Sequence, residues 1–157
     1  MNINRILTTV VVFVAITLWC IHLSGTQTGS LEQAREVSRL AQKHMESGQW
    51  SKAEKVLIGA LGTTLPGPNA KKIRGILYFS LAYLYKKASE QYAVGNDPFA
   101  SQSGSTTVNM IPSMTEHYLE KAAQFYNKAL NELPGNLQVM KNYALTLRKQ
   151  NKWQQAI

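Results

Sequence analysis

The chain has 157 residues, with 17 Lys and Arg against 9 Asp and Glu and a formal net charge of +8. Its 45% hydrophobic content is that of a globular chain, which excludes intrinsic disorder, and its length permits one domain of ordinary size. The single cysteine, Cys20, excludes an internal disulfide framework and any multi-cysteine metal site.

Residues 1–5 read as a short tail that carries Arg5. Residues 6–23, ILTTVVVFVAITLWCIHL, follow as 18 residues without Asp, Glu, Lys or Arg. As a helix this run would reach about 27 Å, close to the hydrocarbon thickness of a bilayer. A cleaved signal peptide requires small residues before the cleavage site, and SGTQTGS at 24–30 offers no convincing pair. A lipoprotein signal requires a small residue before the cysteine, where Trp19 stands. An uncleaved transmembrane signal-anchor fits best, with 24–30 as a flexible spacer; cleaved-signal and buried-helix readings stay open. Arg5 adjoins the run, and the first cation beyond it is Arg35. That bias places the rest of the chain on the non-cytoplasmic side of a bacterial or mitochondrial inner membrane.

From Ser30 onward apolar residues recur at intervals of three and four, the period of a helix. Ser30-Leu-Glu-Gln33, Ser51-Lys-Ala-Glu54 and Ser113-Met-Thr-Glu116 have the form of capping boxes, and Asn136 after Pro134-Gly135 reads as an N-cap. Gly48, Gly62, Gly95 and Gly135 stand where helices should end. These signals predict helices near 31–47, 52–62, 70–94, 114–132 and 137–150, with a sixth beginning at 152.

The helices repeat. Val37-x-x-Leu40-Ala41-x-x-His44 is followed by Gly48, Trp50, Ala53-x-x-x-Leu57 and Ala60. Tyr78-x-x-Leu81-Ala82-x-x-Tyr85 is followed, after an interval, by Ala122-x-x-x-Tyr126-x-x-Ala129 and Pro134. Met140-x-x-Tyr143-Ala144-x-x-Leu147 is followed by Asn151, Trp153 and Ala156. Ala41 to Ala53 and Ala144 to Ala156 each span 12 residues, and Ala122 to Ala144 spans 22. Over 31–157 the chain thus resembles the tetratricopeptide repeat family, whose repeat is about 34 residues long. The resemblance implies an all-α, antiparallel helix-hairpin solenoid behind the N-terminal transmembrane helix. Its units would cover about 31–65, 70–134 and 137–157. The small residues Ala41, Ala53, Ala82, Ala122, Ala144 and Ala156 would let paired helices approach, packed by Leu40, Leu81, Tyr126 and Ala129. Trp50 and Trp153 would cover the inter-helix turns, and Pro134 would close the second unit. The second unit departs from the pattern, since Ala82 to Ala122 is 40 residues, an insertion near 86–113. The third unit stops one turn into its second helix, which reads as a truncated array or a fragment.

Chemistry-bearing constellations are sparse. His22, His44 and His117 have no partner at ligand spacing, and His44 falls on a packing position of the repeat. No phosphate loop, paired carboxylates or nucleophile with a base stands out. The expectation is a non-enzymatic interaction module without cofactor or metal. The resemblance implies a concave groove lined by the first helix of each unit and holding a partner peptide. By that analogy the partner-binding residues are Phe79, Tyr83, Lys86 and Lys87 in the second unit and Lys141, Leu145, Arg148 and Lys149 in the third, with Ser38, Gln42 and Met45 in the first. An apolar strip flanked by cations suits an acidic, partly apolar protein or peptide partner. The Lys-and-Asn carboxylate clamp of some family members is not matched, because Ser38 and Gln42 occupy its places. Nucleic acid and small-molecule substrates are disfavoured. The alternatives are an exported soluble repeat protein after signal cleavage, or an assembly factor acting on anionic lipid at a membrane surface.

Overall fold

The computed structural model describes residues 30–64, 66–100 and 112–150. The described residues form five helices: α1 Leu31–Glu46, α2 Trp50–Gly62, α3 Ala70–Ala93, α4 Pro112–Glu132 and α5 Leu137–Lys149. No strand occurs among the described residues.

Local chemistry accounts for most of the helix ends. At Ser30 the side chain accepts from the Gln33 amide and the Gln33 carboxamide accepts from the Ser30 amide, each at 3.1 Å, closing the expected capping box. Asn136 starts α5 by accepting from the amides of Gln138 and Val139, both at 3.1 Å. The other two expected capping boxes are not helix starts. α2 begins at Trp50 behind Gln49, which makes no side-chain cap, so Ser51 lies inside the first turn. α4 begins at Pro112, whose missing N–H costs nothing in a first turn, and this places Ser113 inside the helix as well. Gly48 and Gly135 turn the chain between helices with φ of 72° and 79°, a region in which a β-carbon is strained.

The helices form a helix-repeat-like array. α1 pairs with α2, α3 pairs with α4 over the longest seam in the molecule, and α5 packs on α4. α3 also lies against both α1 and α2, so the second hairpin stacks on the first. The seams run along small residues: Ala41, Ala53, Ala82 and Ala122 are between 0% and 1% exposed. With no side chain beyond Cβ at these points, the larger buried residues Leu57, Leu77, Leu81, Leu84 and Tyr126 fill the space on either side.

Several packing expectations need correction or lie out of reach. Leu40 is 43% exposed, because no described helix covers the outer side of α1 at that turn. Pro134 is exposed in the α4–α5 turn, where it stops a helix rather than packing. Ala144 is half-buried, while Trp153, Ala156 and the expected sixth helix lie outside the described residues. Ala129, Tyr126 and Leu81 are fully buried, and Trp50 packs against the core from its edge. Within the expected insertion, residues 86–93 continue α3, and Phe99 folds back onto the core.

The expectation of a single-pass membrane protein is also corrected. Among the described residues no helix is long and apolar enough to cross a membrane. α3, at 24 residues, has the length, but it carries Lys71, Lys72, Arg74, Lys86, Lys87 and Glu90. Residues 6–23, on which the expectation rested, lie outside the described residues, as do Cys20 and His22. The described residues are thus all-α with no transmembrane helix among them, and they give the inner-membrane placement no support.

Candidate functional site

Side chains of α1, α3 and α5 meet on one face of the array. A groove of about 510 Å³ runs across that face. α1 contributes Arg35, Ser38, Arg39, Ala41, Gln42 and Met45; α3 contributes Ile76, Phe79, Ser80 and Tyr83; α5 contributes Gln138 and Asn142. The spacing explains the membership. Residues 38, 42 and 45, residues 76, 79, 80 and 83, and residues 138 and 142 each fall on one stripe of their helix at intervals of three and four. A second cavity of about 420 Å³ extends the groove past Gln42, Met45 and Tyr83 to Glu46, Gly48, Trp50, Lys87 and Gln91.

The groove is apolar along its centre and polar along its sides, where Arg35 and Arg39 join the hydroxyls and amides. Met45, Ile76, Phe79 and Tyr83 form the apolar strip, all half-buried. Phe79 is held edge-on against the buried ring of Tyr126, with centroids 5.9 Å apart, and this fixes its place in the floor. Ser80 donates to the Ser38 hydroxyl at 2.9 Å and joins α3 to α1 beneath the strip. The Asn142 carboxamide donates to the Gln138 carbonyl at 2.9 Å and accepts from the Lys86 ammonium at 3.5 Å. Gln42 donates to Glu46 at 2.9 Å along the rim.

The cations are arranged differently from the sequence expectation. Glu90 accepts from Lys87 at 2.8 Å on its own helix and from Lys149 at 2.9 Å on α5. It therefore neutralises two of the cations expected to flank the groove and ties the second unit to the third. Burial alone would raise the Glu90 carboxyl, but its hydrogen bonds to Lys87 and Lys149 outweigh that and hold it below the usual carboxylate range. The hydrogen bond to Glu90 likewise raises the Lys87 ammonium. Arg35 and Arg39, at the exposed edge of the groove, pair with Glu32 and Glu36 on their own helix. Lys86 differs from these. Its ammonium sits against Asn142 and 6.0 Å from the Tyr83 ring centroid, and burial is the foremost cause that holds it below the ordinary lysine range.

Of the residues expected from the sequence, Ser38, Gln42, Met45, Phe79 and Tyr83 come together along the groove, and Lys87 lines its extension. Leu145 is half-buried on α5. Lys141 and Arg148 are exposed and outside the groove lining. One residue is about 100° around a helix, and Lys141 and Arg148, expected by analogy with the repeat, fall on the stripe next to the one that lines the groove. Gln138 and Asn142 hold those places instead. Their signal was available as an i, i+4 amide pair in phase with Leu145 and Lys149. Glu90 was missed although it stands three residues after Lys87, within reach on the same helix face.

His44 is half-buried, with Nδ1 3.0 Å from the Gln49 carboxamide oxygen, while His117 is exposed. Among the described residues no group of three His, Cys, Asp or Glu is placed to hold a metal ion. No family model, curated protein or solved structure matches the chain.

Proposed function

We propose that the chain is a non-enzymatic interaction module of the tetratricopeptide kind, and that the groove between α1, α3 and α5 captures a short segment of a partner protein. The observation that carries this reading is the composition of the groove: four adjoining half-buried apolar side chains bordered by side-chain amides, hydroxyls and the guanidinium groups of Arg35 and Arg39. An extended segment has the matching chemistry, since it offers apolar side chains to the strip and backbone N–H and C=O groups to Gln42, Gln138 and Asn142. Arg35 and Arg39 in the lining and Lys87 in the extension each have a carboxylate of the chain itself, and Lys86 adds one further cation beside that path, so a segment with one acidic group among apolar residues fits better than a densely acidic one.

The test is site-specific photocrosslinking in the full chain. A photoreactive residue replacing Gln42 in the groove should capture a partner, whereas one replacing Lys55 on α2, away from the groove, should not. Phe79→Ala should then weaken the captured peptide about tenfold or more while the helical circular dichroism is kept. Crosslinking from Lys55 with none from Gln42 would overturn the reading.

A further inference from the structure

The segment that follows α3 is built into the core. The chain reverses at Gly95, φ 89°. Asp97 Oδ1 then accepts from the Phe99 amide and from the Tyr118 hydroxyl, each at 3.0 Å. These two bonds aim the Phe99 ring inward, where its centroid lies 5.9 Å from that of Tyr85, 5.6 Å from Tyr118 and 6.4 Å from Trp50. The three partners belong to α3, α4 and α2. A single ring therefore touches both hairpins at once.

Trp50 gives this contact a consequence. On one side it lines the groove extension with Gln42, Met45 and Tyr83. On the other it lines a cleft of about 290 Å³ with Pro98 and Phe99. The same indole thus has the groove mouth on one side and the residues of the reversed segment on the other. Its helix starts behind Gln49 without a side-chain cap, so little in α2 itself fixes the Trp50 end.

We propose that Phe99 is a positioning residue for the groove: the segment 94–100 acts as a wedge that clasps the first hairpin to the second and sets where Trp50 stands at the mouth. The width of the mouth then depends on a loop outside the repeat pattern as well as on helix packing. This geometry holds whether or not the groove takes a peptide, so its test does not depend on finding a partner.

The experiment uses the full chain with Trp19 and Trp153 replaced by Phe, leaving Trp50 as the only indole, since the sequence has three. Phe99→Ala and, separately, Asp97→Ala are introduced into that background. Asp97→Ala removes the two bonds that aim the segment and no core atom, so it decides the matter alone if Phe99→Ala does not fold. The expected result is a shift of Trp50 emission to longer wavelength. Amide hydrogen exchange over residues 50–56 should also accelerate about tenfold, the equivalent of one or two aromatic contacts, while exchange in α5 keeps its rate. Emission and exchange unchanged from the parent would overturn the proposal. So would an acceleration of equal size in all five helices, which would make Phe99 a general core residue rather than a clasp on the first hairpin.

Discussion

Gly75 in α3 and Leu133 at the end of α4 occupy the same space to within one methyl group: a Cβ added to Gly75 would stand 2.4 Å from Leu133 Cγ. Beside them Arg74 and Glu132 pair at 2.7 Å, so the start of α3 is fastened to the end of α4 by an ion pair and by the Leu133 side chain lying against the Gly75 backbone. Substituting Gly75→Ala gains about 1 kcal/mol of helix propensity and loses more to the overlap, for a net destabilisation of about 1–3 kcal/mol. Urea unfolding measures it. The Leu133→Ala background, where the space is open, should convert the loss into a gain.

Two leucines at equivalent places in the repeat have opposite environments. Leu81 is fully buried and Leu40 is 43% exposed. Leu81→Ala should cost about 2–5 kcal/mol through lost burial and the cavity left behind. Leu40→Gln should stay within about 0.5 kcal/mol of the parent, as surface substitutions do. Thermal unfolding of the two variants side by side checks the contrast. A large loss from Leu40→Gln would mean that something beyond the described helices covers it.

The helix starts differ in the same way. Asn136 accepts two amides and Ser51 caps nothing. Asn136→Ala should lower stability by about 1 kcal/mol, and Ser51→Ala, inside a helix, should leave it unchanged or slightly higher. Chemical denaturation resolves a difference of that size.

Glu90 makes the α3–α5 tie sensitive to acid. Its carboxyl lies below the usual range in the folded chain, so over the window in which it titrates the unfolded chain binds more protons and stability rises with pH. The contribution is complete above the ordinary carboxylate value and is lost as pH falls from about 5 through the folded value. A Glu90→Gln variant should show a flatter stability profile over that window. α5 should also exchange its amides faster than in the parent at neutral pH, because Lys149 loses its partner.

The sequence disclosed the parts of this molecule that depend on periodicity. Five helices and their order followed from apolar spacing, and the seam positions Ala41, Ala53, Ala82 and Ala122 followed from their intervals, because a seam needs small residues at a fixed beat. Whether a position on that beat is covered depends on what lies next to it in space, so Leu40 and Pro134 fit the pattern without being buried. The groove was legible on α1 and α3, where the inward stripe carries residues of mixed type. On α5 it was not, since the repeat analogy pointed to Lys141 and Arg148, one step around the helix from Gln138 and Asn142. Phe99 gave no periodic signal at all. Its place depends on Asp97, Tyr118 and a turn at Gly95, contacts that span 21 residues in the first case and obey no repeat.

α3 touches every other described helix: it lies on α1 and α2, runs the length of α4, and reaches α5 through Lys86–Asn142 and Glu90–Lys149. Arrays in which each unit meets only its immediate neighbours can fray from an end, one unit at a time. A central rod gripped from all sides removes that route, because no terminal piece detaches without loosening the middle. Heating should therefore give one concerted calorimetric peak for the described body, with no shoulder from an early-melting terminus.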